Sequence, residues 1–266
     1  MSDRSVDVSI ILSCFNEVSC IEQCLKSIEE QTFKSWELIV IYDGSTDGSI
    51  KIVNKFKCED ERIRLETNLR NIGLAASLNK GIRLAKGDLI ARIDADDICL
   101  KDRLELQAKF MEEHPDVDVL GTGALLRNDT NATSTPLRLP ETHEQLAPLP
   151  FLKTMFVHPS VMIRRSFFEK VGLYDESLLR AQDKELWIRG LRYGARYANL
   201  PTPLVIYNTA GYVRSWRLIW RRTVALAKIV RLHNVKNGKM QVLKLVLVAV
   251  ATKLHLWVPR SVKKNG

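Results

Sequence analysis

After Glu185 the sequence contains no aspartate and no glutamate. The 81 residues beyond it carry 16 lysines and arginines. Such a segment cannot neutralise itself and must meet acid elsewhere: on the body of the protein, a nucleic acid or a lipid surface. The residues up to Glu185 hold all 31 acids against 24 bases, so the overall charge of +9 conceals a body of −7. Long apolar runs are missing as well. The most apolar stretch, 242–258, is broken by Lys244, Lys253 and His255, with only eight residues between the lysines. A spanning helix needs roughly 20, so this stretch reads as an interfacial or packed helix. The opening "MSDRSVDVSIILS" is polar ahead of a short apolar run, which does not fit a signal peptide. Cysteine is sparse and unpaired in pattern. Cys14, Cys20, Cys24, Cys58 and Cys99 include no pair with a zinc-ligand partner pair nearby, and they read as small buried thiols in a reducing compartment. No internal repeat is present, which excludes a solenoid.

What is there is a globular composition, 45% hydrophobic and 27% charged over 266 residues, enough for one large domain or a domain with an appendage. Short β-branched runs alternate with helical patterns. "VSIILS" (8–13), "WELIVIY" (36–42), "RIRLE" (62–66) and "LIARID" (89–94) read as strands; 19–30, 49–56, 74–85 and 103–113 read as helices. That alternation predicts an α/β fold with a mostly parallel sheet covered on both faces. Asp102 with Glu105 predicts a capping box on the helix at 103. Residues 127–150, rich in Thr, Asn and Pro, read as a long connection.

In open parallel sheets, ligands sit beyond the carboxyl ends of the strands. Three of those ends are polar here: "SCFNE", "YDGSTDG" and "DADD". The glycines and small hydroxyls of the second loop let a ligand approach the backbone. An ionised Asp43 can accept the N–H of a pyrimidine ring; the plainer alternative for Asp43 and Asp47 is capping of the next helix. The crowding of Asp94, Asp96 and Asp97 raises the cost of ionising each. A D-x-D at a strand end suits a hard divalent cation, Mg²⁺ or Mn²⁺, which needs few protein ligands and relieves that repulsion.

Taken in order, "VSIILSCFNE", "ELIVIYDGSTDGS", "NIGLAASLNKGI", "GDLIARIDADD" and "HPSVMIRRSFFEKVGLYDESLLRAQDKELWIRGLRYG" resemble the family 2 glycosyltransferases of the GT-A fold, with the resemblance covering about residues 6–210. It is nearest to bacterial enzymes that build cell-surface polysaccharides. The resemblance implies a GT-A, Rossmann-like sheet and inverting transfer of a sugar from a nucleotide diphosphate sugar, usually a uridine one, to an acceptor hydroxyl. It makes Asp43 the base-reading acid, Asp94 and Asp96 the metal and diphosphate site, and Asp183 the general base. Donor contacts are assigned to Cys14, Phe15, Asn16, Glu17, Asp43, Arg70, Asp94 and Ala95. His158 is a further candidate for the metal or diphosphate, against a structural histidine ahead of Pro159. Three departures stand out: Tyr42 where many relatives have a second Asp, Ser13 and Cys14 where Pro and Thr are common, and Gln182 for the usual Glu. Asp183 has a plainer alternative, an N-cap ahead of "KELWIRGL". Lys80 and Arg92 are weaker candidates for diphosphate, and Trp187 reads as packing.

The expected organisation is a catalytic domain over 1–212, with a nucleotide-sugar half to about 126 and an acceptor half from about 150, then a helical tail over 213–266. In "SWRLIWRRTVALAKIVRL" (215–232), Arg217, Arg221, Lys228 and Arg231, with Arg214 just before, share one face; Trp216, Ile219, Leu226 and Val230 take the other. Arg222 falls outside the basic face and Val224 inside it. A basic amphipathic helix with tryptophans favours an anionic bilayer surface; the alternative is docking on the acidic body. The expected setting is cytoplasmic, peripheral on the inner face of the membrane, with a lipid-linked glycan acceptor. Two competing classes are a metal-dependent nucleotidyltransferase and a nucleic-acid-binding protein acting through the tail. "SCFNEVSC" lacks the glycine-rich basic loop of the first. The tail has no nucleic-acid module, and the acidic body would repel phosphate.

Overall fold

The computed structural model describes residues 6–128, 131–148, 154–209, 216–233 and 238–253. The donor-side elements follow the expected alternation: β1 (Val8–Cys14), α1 (Ile21–Glu29), β2 (Trp36–Asp43), α2 (Ser49–Glu59), β3 (Ile63–Asn68), α3 (Leu74–Leu84) and β4 (Leu89–Asp94). Then come β5 (Ile98–Cys99), α4 (Arg103–Glu113), β6 (Val119–Asn128), β7 (Asn131–Leu137), α5 (His143–Leu146), a 3₁₀ turn (His158–Ser160), β8 (Met162–Arg164), α6 (Arg165–Val171), α7 (Gln182–Arg192), β9 (Tyr197–Asn208), α8 (Trp216–His233) and α9 (Gly238–Lys253).

One sheet runs β3-β2-β1-β4-β8-β6-β9-β5, with β7 added beside β6. β3, β2, β1 and β4 are parallel, and β8 then pairs antiparallel to β4. The apolar strands are buried on both faces, as their near-continuous hydrophobic runs require. Val8, Ile10 and Leu12 pack with Ile21, Leu25, Ile28, Val53 and Phe56. Ile11, Ile39, Ile41 and Ile90 pack on the other side with Leu78, Ile82, Phe167, Leu186 and Trp187. Trp187 is therefore core, as expected.

Two local expectations are corrected. Asp102 precedes α4 but makes no side-chain cap; Glu105 instead accepts the Thr32 hydroxyl at 2.5 Å, a tertiary partner that outcompetes the local box. Residues 127–150 are not one long connection. β6 continues to Asn128 and pairs antiparallel with β7, Ala124 opposite Leu137 and Leu126 opposite Thr135. Pro136 is tolerated because β7 lies at the margin of the sheet, where a missing N–H costs no ladder bond.

The tail helix α8 is docked. Leu226 and Ile229 are fully buried, with Ala225 and Val230, against Leu178 and Ile188. Lys228 Nζ stands 3.6 Å from Asp175 Oδ2, and His233 Nε2 stands 2.8 Å from Glu185 Oε1. Trp220, Arg221, Val224, Lys228 and Arg231 remain exposed on the other side. On α9, Met240, Leu243, Leu247 and Val250 are exposed, and their spacing sets them on one stripe. Among the described residues no helix is long and apolar enough to cross a membrane. Arg214, the side chains of Trp216 and Arg217, and residues 254–258 lie outside the described residues.

Candidate active site

The carboxyl ends of β1, β2 and β4 lie side by side, with β2 and β4 flanking β1. Cys14 ends β1 fully buried, its thiol 3.8 Å from the Ser49 hydroxyl and pushed up to about 11 by burial. Phe15 is exposed beside it. Asn16 takes a left-handed φ of 58°, which its side chain supports by accepting the Thr46 N–H at 3.0 Å. Asp47 ties the same loops together: Oδ2 accepts the Val18 N–H at 2.8 Å, while Oδ1 accepts the N–H and hydroxyl of Ser49 at 3.0 and 2.6 Å. Gly48 is the N-cap of α2, and Asp47 supports the start of the helix from the residue before it.

Asp43 does not cap α2. It is buried and reaches to the loop after β3, where Oδ1 accepts Asn68 Nδ2 and the Ile72 N–H, both at 2.9 Å, and Oδ2 accepts the Gly73 N–H at 3.0 Å. Gly44 makes this approach possible. A Cβ there would fall 2.5 Å from the Arg70 carbonyl carbon, and its φ of 69° suits glycine. Arg70 itself is exposed in this loop. Lys80 braces the loop from below, donating to Thr67 O at 3.0 Å and Asn68 Oδ1 at 3.1 Å.

At the end of β4, ligand oxygens of Asp94, Asp96 and Asp97 all lie within 4.8 Å of one another. Arg92 and Asp94 form an ion pair. Ala95, between Asp94 and Asp96, is buried. Asp97, outside the expected metal pair, is the most buried of the three. Its Oδ1 accepts the Asn208 N–H at 2.7 Å, and its Oδ2 has no partner among the described residues. Burial, with Asp94 adding, pushes Asp97 up to about 8. Asp96 is raised by burial and then by Asp94. Glu17, from the β1 loop, is also raised, by burial and then by Asp96 and Asp94, so the two strand ends converge on one acidic patch. A crowded, desolvated set of hard oxygens with an unpartnered buried oxygen fits a divalent cation.

Asp183 lies in the first turn of α7. The N-cap is Ala181, held at φ 58°, so Asp183 is not the cap. Its charge sits at the positive end of the helix dipole. The buried Tyr174 hydroxyl is raised by burial, with Asp183 and Asp94 both adding, so the two acids lie around one group. His158 Nε2 meets that hydroxyl at 2.9 Å and does not join the three-aspartate cluster. Burial holds its imidazole well below the ordinary range, hence neutral. Asp97, counted in the acidic crowding but left out of the expected metal pair, belongs to the cluster, and Lys184, beside Asp183, is not singled out by the sequence.

The pattern that defines glycosyl transferase family 2 matches residues 9–172. The chain belongs to that family. Among relatives, the amylovoran biosynthesis glycosyltransferase AmsE of Erwinia amylovora is 30% identical over 226 residues, 84% of each chain. The putative glycosyltransferase EpsE of Bacillus subtilis is 36% identical over 201 residues, 74% of this chain and 71% of that one. Two solved structures share the fold. TarS of S. aureus, residues 1–349 with UDP-GlcNAc, superposes with a TM-score of 0.66 at 21% identity, covering 85% of this chain and 67% of that one. The mannosyltransferase PcManGT of Pyrobaculum calidifontis, with GDP-Man and Mn²⁺, gives 0.67 at 18% identity, covering 97% and 79%. The family 2 enzyme thus has the GT-A architecture, and its sheet order sets the acidic patch beside the β1/β4 junction.

Proposed function

We propose that this enzyme transfers a sugar, with inversion, from a UDP-sugar to a hydroxyl of a lipid-linked glycan in bacterial surface-polysaccharide synthesis. The observation that carries this reading is the gathering of Asp94, Asp96 and Asp97 at the end of β4, within electrostatic reach of Glu17 on the adjoining β1 loop. A divalent cation on Asp94 and Asp96 would supply positive charge to the departing diphosphate. The protein's own part is to hold the uracil side against Asp43 and the loop at 69–73, to set Cys14–Glu17, Arg70 and Ala95 along the donor, and to present Asp183 to the acceptor. Asp183 accepts the proton of the acceptor hydroxyl as that oxygen attacks the anomeric carbon, and the bond to the diphosphate breaks on the opposite face. UDP-GlcNAc in TarS supports the donor class, and the amylovoran biosynthesis named for AmsE supports a role in glycan synthesis.

The membrane setting rests on charge and exposed apolar surface. The exposed bases Arg221 and Arg231, with Trp220 and Val224 on α8 and the stripe on α9, suit an anionic bilayer. Thermal-shift titration of UDP, GDP, CDP and ADP with Mn²⁺ tests the donor class, since a ligand that prefers the folded state raises Tm. UDP should give the largest shift; none for any nucleotide would overturn the reading. Co-sedimentation with phosphatidylglycerol vesicles tests the setting, and a chain that stays in the supernatant at low salt argues against it.

A further inference from the structure

Arg92 is a buried arginine whose bonding the fold does not explain. Its backbone is held on both sides: the Arg92 N–H donates to Val161 O at 3.1 Å, and its carbonyl accepts Arg103 Nη2 at 2.7 Å. The guanidinium is bonded at one nitrogen only. Nη2 pairs with Asp94 Oδ1, while Nε and Nη1 are buried without a partner among the described residues. The arginines that brace this fold behave differently. Arg103 Nε donates to Gln107 Oε1 at 3.0 Å while its Nη2 holds the β4 backbone. Arg165 Nε reaches Gly87 O at 3.0 Å, and its Nη2 reaches Ala85 O at 2.8 Å. Arg189 donates to Leu173 O at 2.6 Å and to both oxygens of Glu185 at 2.9 Å. Each of these has an acceptor on main chain or on its own helix. Arg92 has only Asp94, two residues along its own strand, and Asp94 belongs to the aspartate cluster.

A buried guanidinium with two idle nitrogens is costly to keep, and an apolar side chain of similar size would fill the space without that cost. What the guanidinium adds is a permanent positive charge. Asp96 and Asp97 feel it: burial first and Asp94 next raise both, and Arg92 works against the rise in both. The cluster thus carries one built-in positive charge of its own. A charge in that place acts with opposite sign on the two guests of the site, repelling a divalent cation and attracting a diphosphate.

We propose that Arg92 is a positioning residue that holds Asp94 and serves as the built-in counter-ion of the cluster, so that the cation is held less tightly and the donor's diphosphate more tightly. This rests on Asp94 and Asp96 being the cation and diphosphate site. Without Arg92, three crowded carboxylates would grip a bare cation and repel the nucleotide; with it, the two guests bind on closer terms.

The full chain is titrated with Mn²⁺ in the absence of nucleotide and, separately, with UDP in EDTA. Arg92→Met should bind Mn²⁺ about tenfold more tightly and UDP about tenfold more weakly, the scale of one unit charge acting across a partly buried site. Arg92→Lys keeps the charge and should return both affinities toward wild type. The opposite signs are the signature, because a merely structural loss would weaken both. Mn²⁺ binding no tighter in Arg92→Met than in wild type would overturn the proposal, and so would a UDP affinity that does not fall. Should Arg92→Met fail to fold, Arg92→Gln, which also removes the charge, carries the same expectations. UDP binding to wild type with Mn²⁺ is scored first: its absence overturns the donor reading, whereas its presence with unmoved affinities in the Arg92 variants overturns this role of Arg92 alone.

Discussion

Asp43 Oδ1 accepts the backbone N–H of Ile72 at 2.9 Å, joining the end of β2 to the loop ahead of α3. With the Gly73 N–H on the other oxygen, one carboxylate fixes the backbone of the loop that carries Arg70. The residue expected to read the donor's base is therefore also what shapes the loop beside it.

Asp43→Asn turns one of these acceptor oxygens into a donor that faces other donors. Folding stability should fall by about 1–3 kcal/mol, the cost of unsatisfied buried polar groups, and UDP affinity should fall with it. Urea unfolding and calorimetric UDP titration read the two effects. An unchanged urea midpoint would show that the loop does not depend on the carboxylate.

Removal of the divalent cation should silence transfer. EDTA should abolish activity and Mn²⁺ or Mg²⁺ restore it, while Asp96→Ala should lower Mn²⁺ affinity measured by titration in the presence of UDP. Full activity of Asp96→Ala in EDTA would sink the assignment of the aspartate cluster.

Asp183→Asn should lower kcat by about 10²-fold or more, the usual scale for loss of a general base. Since Ala181 occupies the cap position, the loss should come with little change in Tm and with UDP binding near wild type. Unchanged turnover would mean that another group takes the proton.

His158 supplies a pH signature. Its imidazole is held neutral in the fold, well below the ordinary value, whereas the unfolded chain binds a proton below about pH 6.5. Its contribution is thus complete above that pH and is lost as pH falls. His158→Gln can still accept from Tyr174 but does not titrate. The difference in Tm between wild type and His158→Gln should shift against wild type on going from pH 8 to pH 5. Parallel Tm curves across that range would contradict a buried neutral histidine.

Leu226→Ala tests whether the tail belongs to the packed body. Emptying a fully buried leucine site typically costs about 2–5 kcal/mol, and Leu226 is fully buried against Leu178 and Ile188. The variant should melt earlier in a single transition, and a chain truncated at residue 212 should be less stable still. A truncated chain that melts like the full one would make the tail an independent appendage.

The donor half of the fold was legible because β1, β2 and β4 are apolar runs buried on both faces, a pattern no helix of that length shares. The β6–β7 hairpin was not, because Asn, Thr and Pro at 127–136 are turn-formers by composition and become strand only beside β6. Asp94, Asp96 and Asp183 stand out by motif. Asp97 is in the motif too, but its depth depends on the Asn208 N–H, 111 residues away and invisible to local reading. Amphipathicity gave α8 an apolar side without saying what covers it. Leu178 and Ile188 do.

The bond between Asp97 and Asn208 also bears on how the enzyme comes into being. β1 to β4, with the loops that follow β1, β2 and β3, are complete once residue 94 has left the ribosome, but among the described residues β5 pairs only with β9, and Asp97 Oδ1 accepts its hydrogen bond from the last residue of β9. A growing chain therefore finishes its parallel strands long before it can brace Asp97, since contacts so distant in sequence must wait for the intervening chain. The aspartate cluster is braced only after residue 208 has emerged, 111 residues after Asp97 itself.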